Sequence, residues 1–167
     1  MNCNNKENHN PIVEVVNLTS GYEELKVLDG VSIFAPEHQI TIILGSSGCG
    51  KTTLLKHLIR LNQPWSGSIR LFDQEINNLD EPEFNAILKK VGVMFQNGAL
   101  LGSLSIAENV AIPLEQHTTL KADMIRKLVE IKLKLVELGH AIDRFPSELS
   151  GGMRKRAALA RAIALDP

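Results

Sequence analysis

The chain has 167 residues, of which 44% are hydrophobic and 22% charged, and a formal net charge of −1. This composition supplies enough apolar material for one domain with a sizeable core. No apolar run reaches the roughly 18 residues of a membrane span, and the polar start at 1–10 is unlike a secretion signal. The two cysteines, Cys3 and Cys49, argue against a disulfide framework and favour a reducing compartment.

The charge is unevenly distributed. Residues 1–120 carry 8 basic and 13 acidic side chains, whereas residues 121–167 carry 10 basic and 6 acidic ones. A basic region can bind nucleic acid, but here the basic residues lie in helical segments without interleaved aromatic residues. We therefore interpret them as solvated helix faces and as residues close to phosphate, and we predict no nucleic-acid partner.

The first half of the chain predicts a small β layer followed by an α/β unit. Residues 12–18 and 27–35 have the β-branched, partly alternating pattern of strands. The apolar segment 39–44 predicts a further strand, which leads into a glycine-rich loop. Leucines at helical spacing predict a helix over 52–61, and a strand follows at 68–72.

The glycine-rich loop is the most informative motif. It is formed by Gly45, Ser46, Ser47, Gly48, Cys49, Gly50, Lys51, Thr52 and Thr53. Glycines let successive backbone N–H groups converge on phosphate oxygens, and the following helix directs its positive end at the same charge. The strand, loop and helix context makes a chance match in a surface loop a poor alternative. We therefore predict a nucleotide-binding loop.

The middle of the chain changes from mixed to helical. Asp80 predicts the cap of a short helix over 81–89, and the apolar run 91–95 predicts a buried parallel strand that stops at Gln96. Ser105 and Glu108 form a capping-box pattern. A long helix is predicted over 121–138, with a buried stripe whose members are Ile125, Leu128, Ile131, Leu135 and Leu138. Core packing explains this stripe better than a partner groove.

A second anion-binding pattern lies near the end of the sequence. Ser150 occupies an N-cap position, Gly151 and Gly152 follow it, and an alanine-rich helix is predicted over 155–165. A hydroxyl and two glycine amides at a helix start can hold an anion. Taken alone, the segment would be interpreted as an ordinary capped helix with a flexible glycine pair.

Together these motifs resemble the ATP-binding subunit of ABC transporters. The resemblance rests on the phosphate loop, Gln96 after an apolar strand, the helical insertion and the run LSGGMRKRAALARAIALDP, and it extends over nearly the whole chain. It implies an α/β P-loop NTPase with a RecA-like core, an N-terminal antiparallel β layer and an inserted helical subdomain at about 99–150. We predict a disordered leader over 1–10 and an incomplete ATP-binding domain over 11–167.

The resemblance also implies roles for individual residues. Two such subunits pair head to tail and enclose two ATP molecules. Gly45 to Thr53 would hold the phosphates, with Lys51 as a catalytic point charge and Thr52 and Gln96 at Mg²⁺. Gln96 would also position the attacking water, and Ser150, Gly151 and Gly152 would contact ATP on the opposite subunit. Tyr22 would stack on adenine, although a simple surface tyrosine is the alternative.

Within the family, the segments MFQNGAL, SLSIAENVAIPL and LSGGM are most similar to the ATPases of Mla-type systems. That similarity implies a permease partner, an MCE-type lipid-binding protein, phospholipid cargo and a position on the cytoplasmic face of the inner membrane. An ABC ATPase for another substrate stays open as an alternative.

The chain ends at Asp166 and Pro167, where the family continues into an apolar strand that supplies a magnesium-anchoring aspartate and a catalytic glutamate. We therefore expect the 167-residue chain alone to hydrolyse ATP slowly or not at all, and to be prone to aggregation. One alternative is a non-catalytic nucleotide-binding module. Another is a DNA-repair or chromosome-structure ATPase, but no long heptad region separates Lys51 from Ser150.

Overall fold

The computed structural model describes residues 11–167, so the predicted leader at 1–10 lies outside the described residues. The chain divides into two compact units, and the boundary in sequence falls between Ile87 and Leu88. The first unit contains the β layer and the glycine-rich loop, and the second contains Gln96 and the helical region.

The first unit is built on a four-stranded antiparallel sheet. Its strands are β1 (Pro11–Tyr22), β2 (Leu25–Pro36), β3 (Ser66–Leu71) and β4 (Gln74–Glu75), in the spatial order β2-β1-β3-β4. The strands predicted at 12–18, 27–35 and 68–72 are thereby confirmed. Apolar side chains of three strands are fully or almost fully buried; they are Val15, Leu18, Leu28, Ile69 and Leu71.

The first unit contains one helix, and a second helix ends at its boundary. Helix α1 (Lys51–Leu58) is shorter than the predicted 52–61, because the backbone becomes left-handed at Arg60 and the Leu61 N–H donates to the Lys56 carbonyl. Helix α2 (Glu81–Leu88) begins after Asp80, whose carboxylate accepts a hydrogen bond of 2.8 Å from the Glu83 N–H. The predicted Asp80 cap is therefore confirmed.

Two predicted strands are wrong. Residues 40–46 and 91–95 have no regular secondary structure and lie outside any sheet, although each range contains an apolar run. A strand requires a neighbour for its backbone N–H and C=O groups. Among the described residues the ladders join only β1 with β2, β1 with β3, and β3 with β4. Side chains of both segments are consequently exposed, including Ile40, Ile42, Leu44 and Met94.

The described part of the second unit is helical. It comprises α3 (Ile106–His117), α4 (Ala122–Leu135) and α5 (Gly151–Ala162), with short 3₁₀ turns at Gly139–Ala141 and Pro146–Glu148. One apolar core joins the three helices. Its fully buried members include Ile106, Val110, Leu133, Leu138, Ala157 and Ala160.

The limits of these helices differ from the predictions in instructive ways. The capping box at Ser105 and Glu108 is confirmed, since each side chain accepts from the other residue's backbone N–H. Helix α4 ends at Leu135 rather than at 138, because Glu137 adopts a left-handed conformation. Helix α5 begins at Gly151 rather than at 155, so the glycine pair forms its first turn.

The predicted buried stripe of α4 is wrong in part. Ile125 and Leu138 are buried and Leu128 packs against the core, but Ile131 and Leu135 are exposed. The buried face instead contains Val129, Leu133 and Lys132. The Lys132 ammonium forms an ion pair with Asp166, which allows a cation to lie in this face.

Candidate functional site

The glycine-rich loop of the first unit opens directly into α1. Gly48 and Gly50 have φ angles of +84° and +93°, which glycine adopts without strain. A Cβ at Gly50 would lie 2.7 Å from a Leu28 methyl of β2, so this position also lacks room for a side chain. No side chain caps α1, and its first turn contains no acidic residue. The first-turn N–H groups thus remain available to an anion.

The Lys51 side chain folds back across this loop. Its ammonium donates to the carbonyls of Gly45 at 2.9 Å and Ser46 at 2.6 Å, and lies 3.4 Å from the Cys49 sulfur. Its positive charge therefore lies within the loop that precedes α1, and the lysine is exposed to solvent only in part. A cation and backbone donors around an exposed glycine loop fit a triphosphate.

Tyr22 lies next to the same helix. Its hydroxyl is 3.4 Å from the Thr53 hydroxyl and 3.5 Å from the Asn62 amide nitrogen, and the Lys56 ammonium is 5.9 Å from the ring centroid. The hydrogen bond with Thr53 is the main cause that lowers the pKa of the Tyr22 phenol from its ordinary value. The ring is about half exposed, which leaves surface for stacking.

Gln96 lies in the second unit, in a turn at 96–99. The Gly98 N–H donates to the Phe95 carbonyl at 2.8 Å and closes the turn around Gln96 and Asn97. These two residues line a cavity of about 210 Å³ together with Gly151, Arg154 and Lys155. The structure thus brings Gln96 to the start of α5.

The start of α5 is a capped helix N-terminus whose first two residues are exposed to solvent. The Ser150 hydroxyl caps it by accepting from the Met153 N–H at 3.3 Å, which confirms the predicted N-cap. Gly151 and Gly152 are exposed, and a Cβ on either would meet nothing within 4 Å. This part of the helix start is therefore accessible from solvent. Such access is required if the two glycines are to contact a ligand held by a second subunit.

The structure therefore assembles the predicted site residues in two groups. Tyr22 and the loop Gly45 to Thr53 lie in the first unit, whereas Gln96 and the segment Ser150 to Gly152 lie in the second. Among residues 11–167, no group of histidine, cysteine or acidic side chains has the arrangement of a metal site. A metal ion bound by the predicted site residues would take oxygen ligands from hydroxyl and amide groups and from phosphate. Mg²⁺ accepts such ligands.

Sequence reasoning missed several neighbours of these groups. Asn62 and Lys56 contact Tyr22, and Arg154 and Lys155 line the cavity at Gln96. The charge pattern predicts solvated helix faces and proximity to phosphate for the basic residues, but it does not single out Arg154 or Lys155. Their place in the first turns of the capped helix, directly after Gly152, is the signal that identifies these two cations.

Comparisons with known proteins identify the family of this chain. The family model described as ABC transporter matches residues 28–167. The solved dimeric ATP-binding cassette MJ0796, in a post-hydrolysis state with ADP and Pi, superposes with a TM-score of 0.86 at 32% identity, covering 93% of this chain and 70% of that one. A cbiO1 structure from Clostridium perfringens, part of a cbiONQ transporter complex, gives a TM-score of 0.80 at 28% identity, covering 94% and 62%.

Curated relatives narrow the class. The chain is 44% identical over 156 residues to the intermembrane phospholipid transport ATP-binding protein MlaF of Haemophilus influenzae, covering 93% of this chain and 59% of that protein. It is 43% identical to the probable ribonucleotide transport ATP-binding protein mkl of Mycobacterium tuberculosis H37Rv, covering 93% and 43%. The chain thus spans about half the length of the curated relatives it matches.

The chain belongs to the ABC transporter family of ATP-binding proteins. The predicted α/β P-loop NTPase class is confirmed by the solved cassettes. No helix among the described residues is both long and apolar enough to cross a bilayer. The individual roles of Tyr22, the loop residues, Gln96 and the segment Ser150 to Gly152 stay predictions.

Proposed function

We propose that this protein is the ATP-binding subunit of an Mla- or Mkl-type transporter, coupling ATP binding and hydrolysis to transport across the inner membrane. The observation that carries the proposal is the Lys51 ammonium, which lies across a glycine loop at the uncapped start of α1. Family membership supports ATP as the nucleotide.

Phosphate binding would be shared between backbone and side chain. The amides of Gly45 to Thr53 would donate to phosphate oxygens, and Lys51 would exchange its carbonyl partners at Gly45 and Ser46 for the β and γ phosphates. Tyr22 would place its exposed ring under the adenine.

Thr52 and Gln96 would hold Mg²⁺, since both offer the neutral oxygen ligands that this ion takes beside phosphate oxygens. The ion, when bound, neutralises charge that develops on the phosphates. Gln96 would also orient the attacking water through its side-chain amide. The slow or absent turnover expected of the 167-residue chain by itself stays a prediction.

The second half of each nucleotide site would come from another copy of the subunit. Ser150, Gly151 and Gly152 would donate to the γ-phosphate held by the opposite phosphate loop, in a head-to-tail pair. The open surface around the two glycines supports this role. The MJ0796 cassettes, described as dimeric, support pairing.

The remaining partners follow from the relatives. We propose an integral membrane permease, an MCE-type lipid-binding protein and a location on the cytoplasmic face of the inner membrane. Phospholipid is the proposed cargo because of the 44% identity to MlaF. Ribonucleotide is the second candidate because of the 43% identity to mkl.

Nucleotide binding is tested with Lys51→Ala. Titration with a fluorescent ATP analogue should show an affinity loss of about 100-fold, because a charge-assisted contact to phosphate disappears. Lys26→Ala is the matched control, since Lys26 pairs with Asp29 on β2. Equal affinity of Lys51→Ala and the unchanged chain would contradict the proposal.

Cargo is tested on the membrane complex purified through this subunit. The rate of ATP hydrolysis by the complex in vesicles should rise when phospholipid is added as the cargo. It should not rise when ribonucleotides are added. The reverse response would favour the mkl-like function, and no response to either would contradict both cargo assignments.

A further inference from the structure

Arg161 lies on α5 three turns after the glycine pair, and its side chain is directed at the Gln96 turn. One guanidinium nitrogen donates to the Gly98 carbonyl at 2.7 Å and the other to the Ala99 carbonyl at 2.8 Å. A planar guanidinium can make both bonds at once, whereas an ammonium offers no such fork. Arg161 is half-buried, and this burial lowers the pKa of its guanidinium from the ordinary value.

The backbone that receives these bonds is left-handed at both residues, and it is strained at Ala99. Gly98 and Ala99 both have left-handed φ angles, +77° and +47°. Alanine rarely adopts this conformation, and it persists where surrounding contacts hold it. Two successive left-handed residues turn both carbonyls towards the same cation.

Steric contact supports the same attachment. A Cβ at Gly98 would lie 3.1 Å from the Ala158 Cβ and 3.5 Å from the Arg154 carbonyl oxygen, so the turn packs closely on α5. On its other side, Leu101 is held independently, because the Leu101 N–H donates to the Asn109 side chain at 2.7 Å. The two Arg161 bonds thus act on the Gly98 and Ala99 end of the turn, whereas Leu101 has its own side-chain partner.

We propose that Arg161 is a positioning residue for Gln96. By clamping Gly98 and Ala99, it fixes the turn that carries Gln96 to the helix that carries Ser150 and Gly151. The inference rests on the proposed function, because it gives Gln96 its place at the nucleotide. It assigns to Arg161 no contact with substrate.

The first test measures amide hydrogen exchange in the full chain and requires no catalysis. Arg161→Ala should speed exchange of the Gly98 amide at least about tenfold, because two charge-assisted hydrogen bonds that hold the turn are lost. The Leu101 amide, held by Asn109, should change much less. Arg156→Ala is the control on the same helix, since Arg156 donates to the Val136 carbonyl instead.

The second test separates positioning from general structure in the assembled transporter. Arg161→Ala should lower kcat for ATP about tenfold while the affinity for ATP stays within about twofold. Gln96→Ala should add little further loss in the Arg161→Ala background. Arg161→Lys should restore part of the rate, because lysine keeps the positive charge and a donor for these carbonyls but lacks the planar guanidinium fork.

Two results would overturn the inference. One is unchanged Gly98 exchange in Arg161→Ala, and the other is a Gln96→Ala effect of the same size with and without Arg161. Failure of the proposed function would be visible elsewhere, as ATP affinity that does not depend on Lys51. The Gly98 exchange rate tests the Arg161 clamp whether or not ATP affinity depends on Lys51.

Discussion

The phosphate loop of the first unit, Gly45 to Thr53, and the signature segment of the second unit, Ser150 to Gly152, use glycine for different reasons. Gly50 has a left-handed backbone and lies against β2, so its lack of a side chain is a condition of the fold. Gly151 begins a regular helix, and its missing side chain leaves open surface. Gly50 is therefore constrained by contacts within this chain, whereas Gly151 is accessible to a ligand or another subunit.

The two regions also differ in how their apolar residues are placed. The segment before the phosphate loop exposes Ile40, Ile42 and Leu44, whereas the helices around the signature segment enclose a continuous core. Substitutions that compare the two regions therefore test whether the difference holds in solution.

The largest expected effect is in the helical core. Leu133→Ala should lower the free energy of unfolding by about 2–5 kcal/mol, because Leu133 is 0% exposed and its removal leaves a cavity. Ile42→Ala should cost less than about 0.5 kcal/mol, since Ile42 is 72% exposed. Chemical denaturation measures both. Equal costs would indicate that 39–44 is a buried strand in solution, as its sequence predicts.

The next effect compares the glycines. Gly50→Ala should destabilise by about 1–3 kcal/mol, because alanine is strained at φ +93° and its Cβ would be 2.7 Å from Leu28. Gly151→Ala should change stability by less than about 1 kcal/mol, and alanine should favour the helix. Thermal unfolding of the two variants checks this. A stable Gly50→Ala protein would contradict the described loop conformation.

The smallest effect concerns the capping box of α3. The hydrogen bond from the Ser105 N–H holds the pKa of the Glu108 carboxyl below its ordinary value of 4.5. Because the folded value is the lower one, the stabilisation is present above pH 4.5 and is lost as pH falls through the folded value. The melting temperature of Glu108→Gln should lie slightly below that of the unchanged chain at pH 7, and the difference should shrink by pH 3.

Glu115→Gln, on the same helix, is the control for the capping box. Its melting temperature should follow the unchanged chain at both pH values. A Glu108→Gln difference that grows as the solution is acidified would show that the sign assigned to this carboxylate is wrong.

Local patterns predicted the parts of the molecule that local chemistry decides. The caps at Asp80, Ser105 and Ser150 depend on residues three positions apart, and all three form. The segments 39–44 and 91–95 could not be assigned correctly in this way. Hydrophobicity alone does not provide the neighbouring strand that each would need.

Tertiary contacts explain the remaining differences in the candidate site. The α4 stripe was chosen by spacing, but packing against α3 and α5 selected a different face that includes Lys132. Arg161 lies 62 residues from Ala99 in sequence, so no local motif links them. The glycine loop was predictable because its spacing encodes its own backbone conformation.

Complementation between two variants tests the paired ATP site most directly. Lys51→Leu disables the phosphate loop and Ser150→Phe blocks the signature segment, so neither variant alone should associate when ATP is added. Mixed in equal amounts, they can form one intact site between an unchanged loop and an unchanged signature segment. Sedimentation should then show ATP-dependent pairing only in the mixture, whereas a mixture that stays monomeric, or either variant pairing alone, would contradict the account.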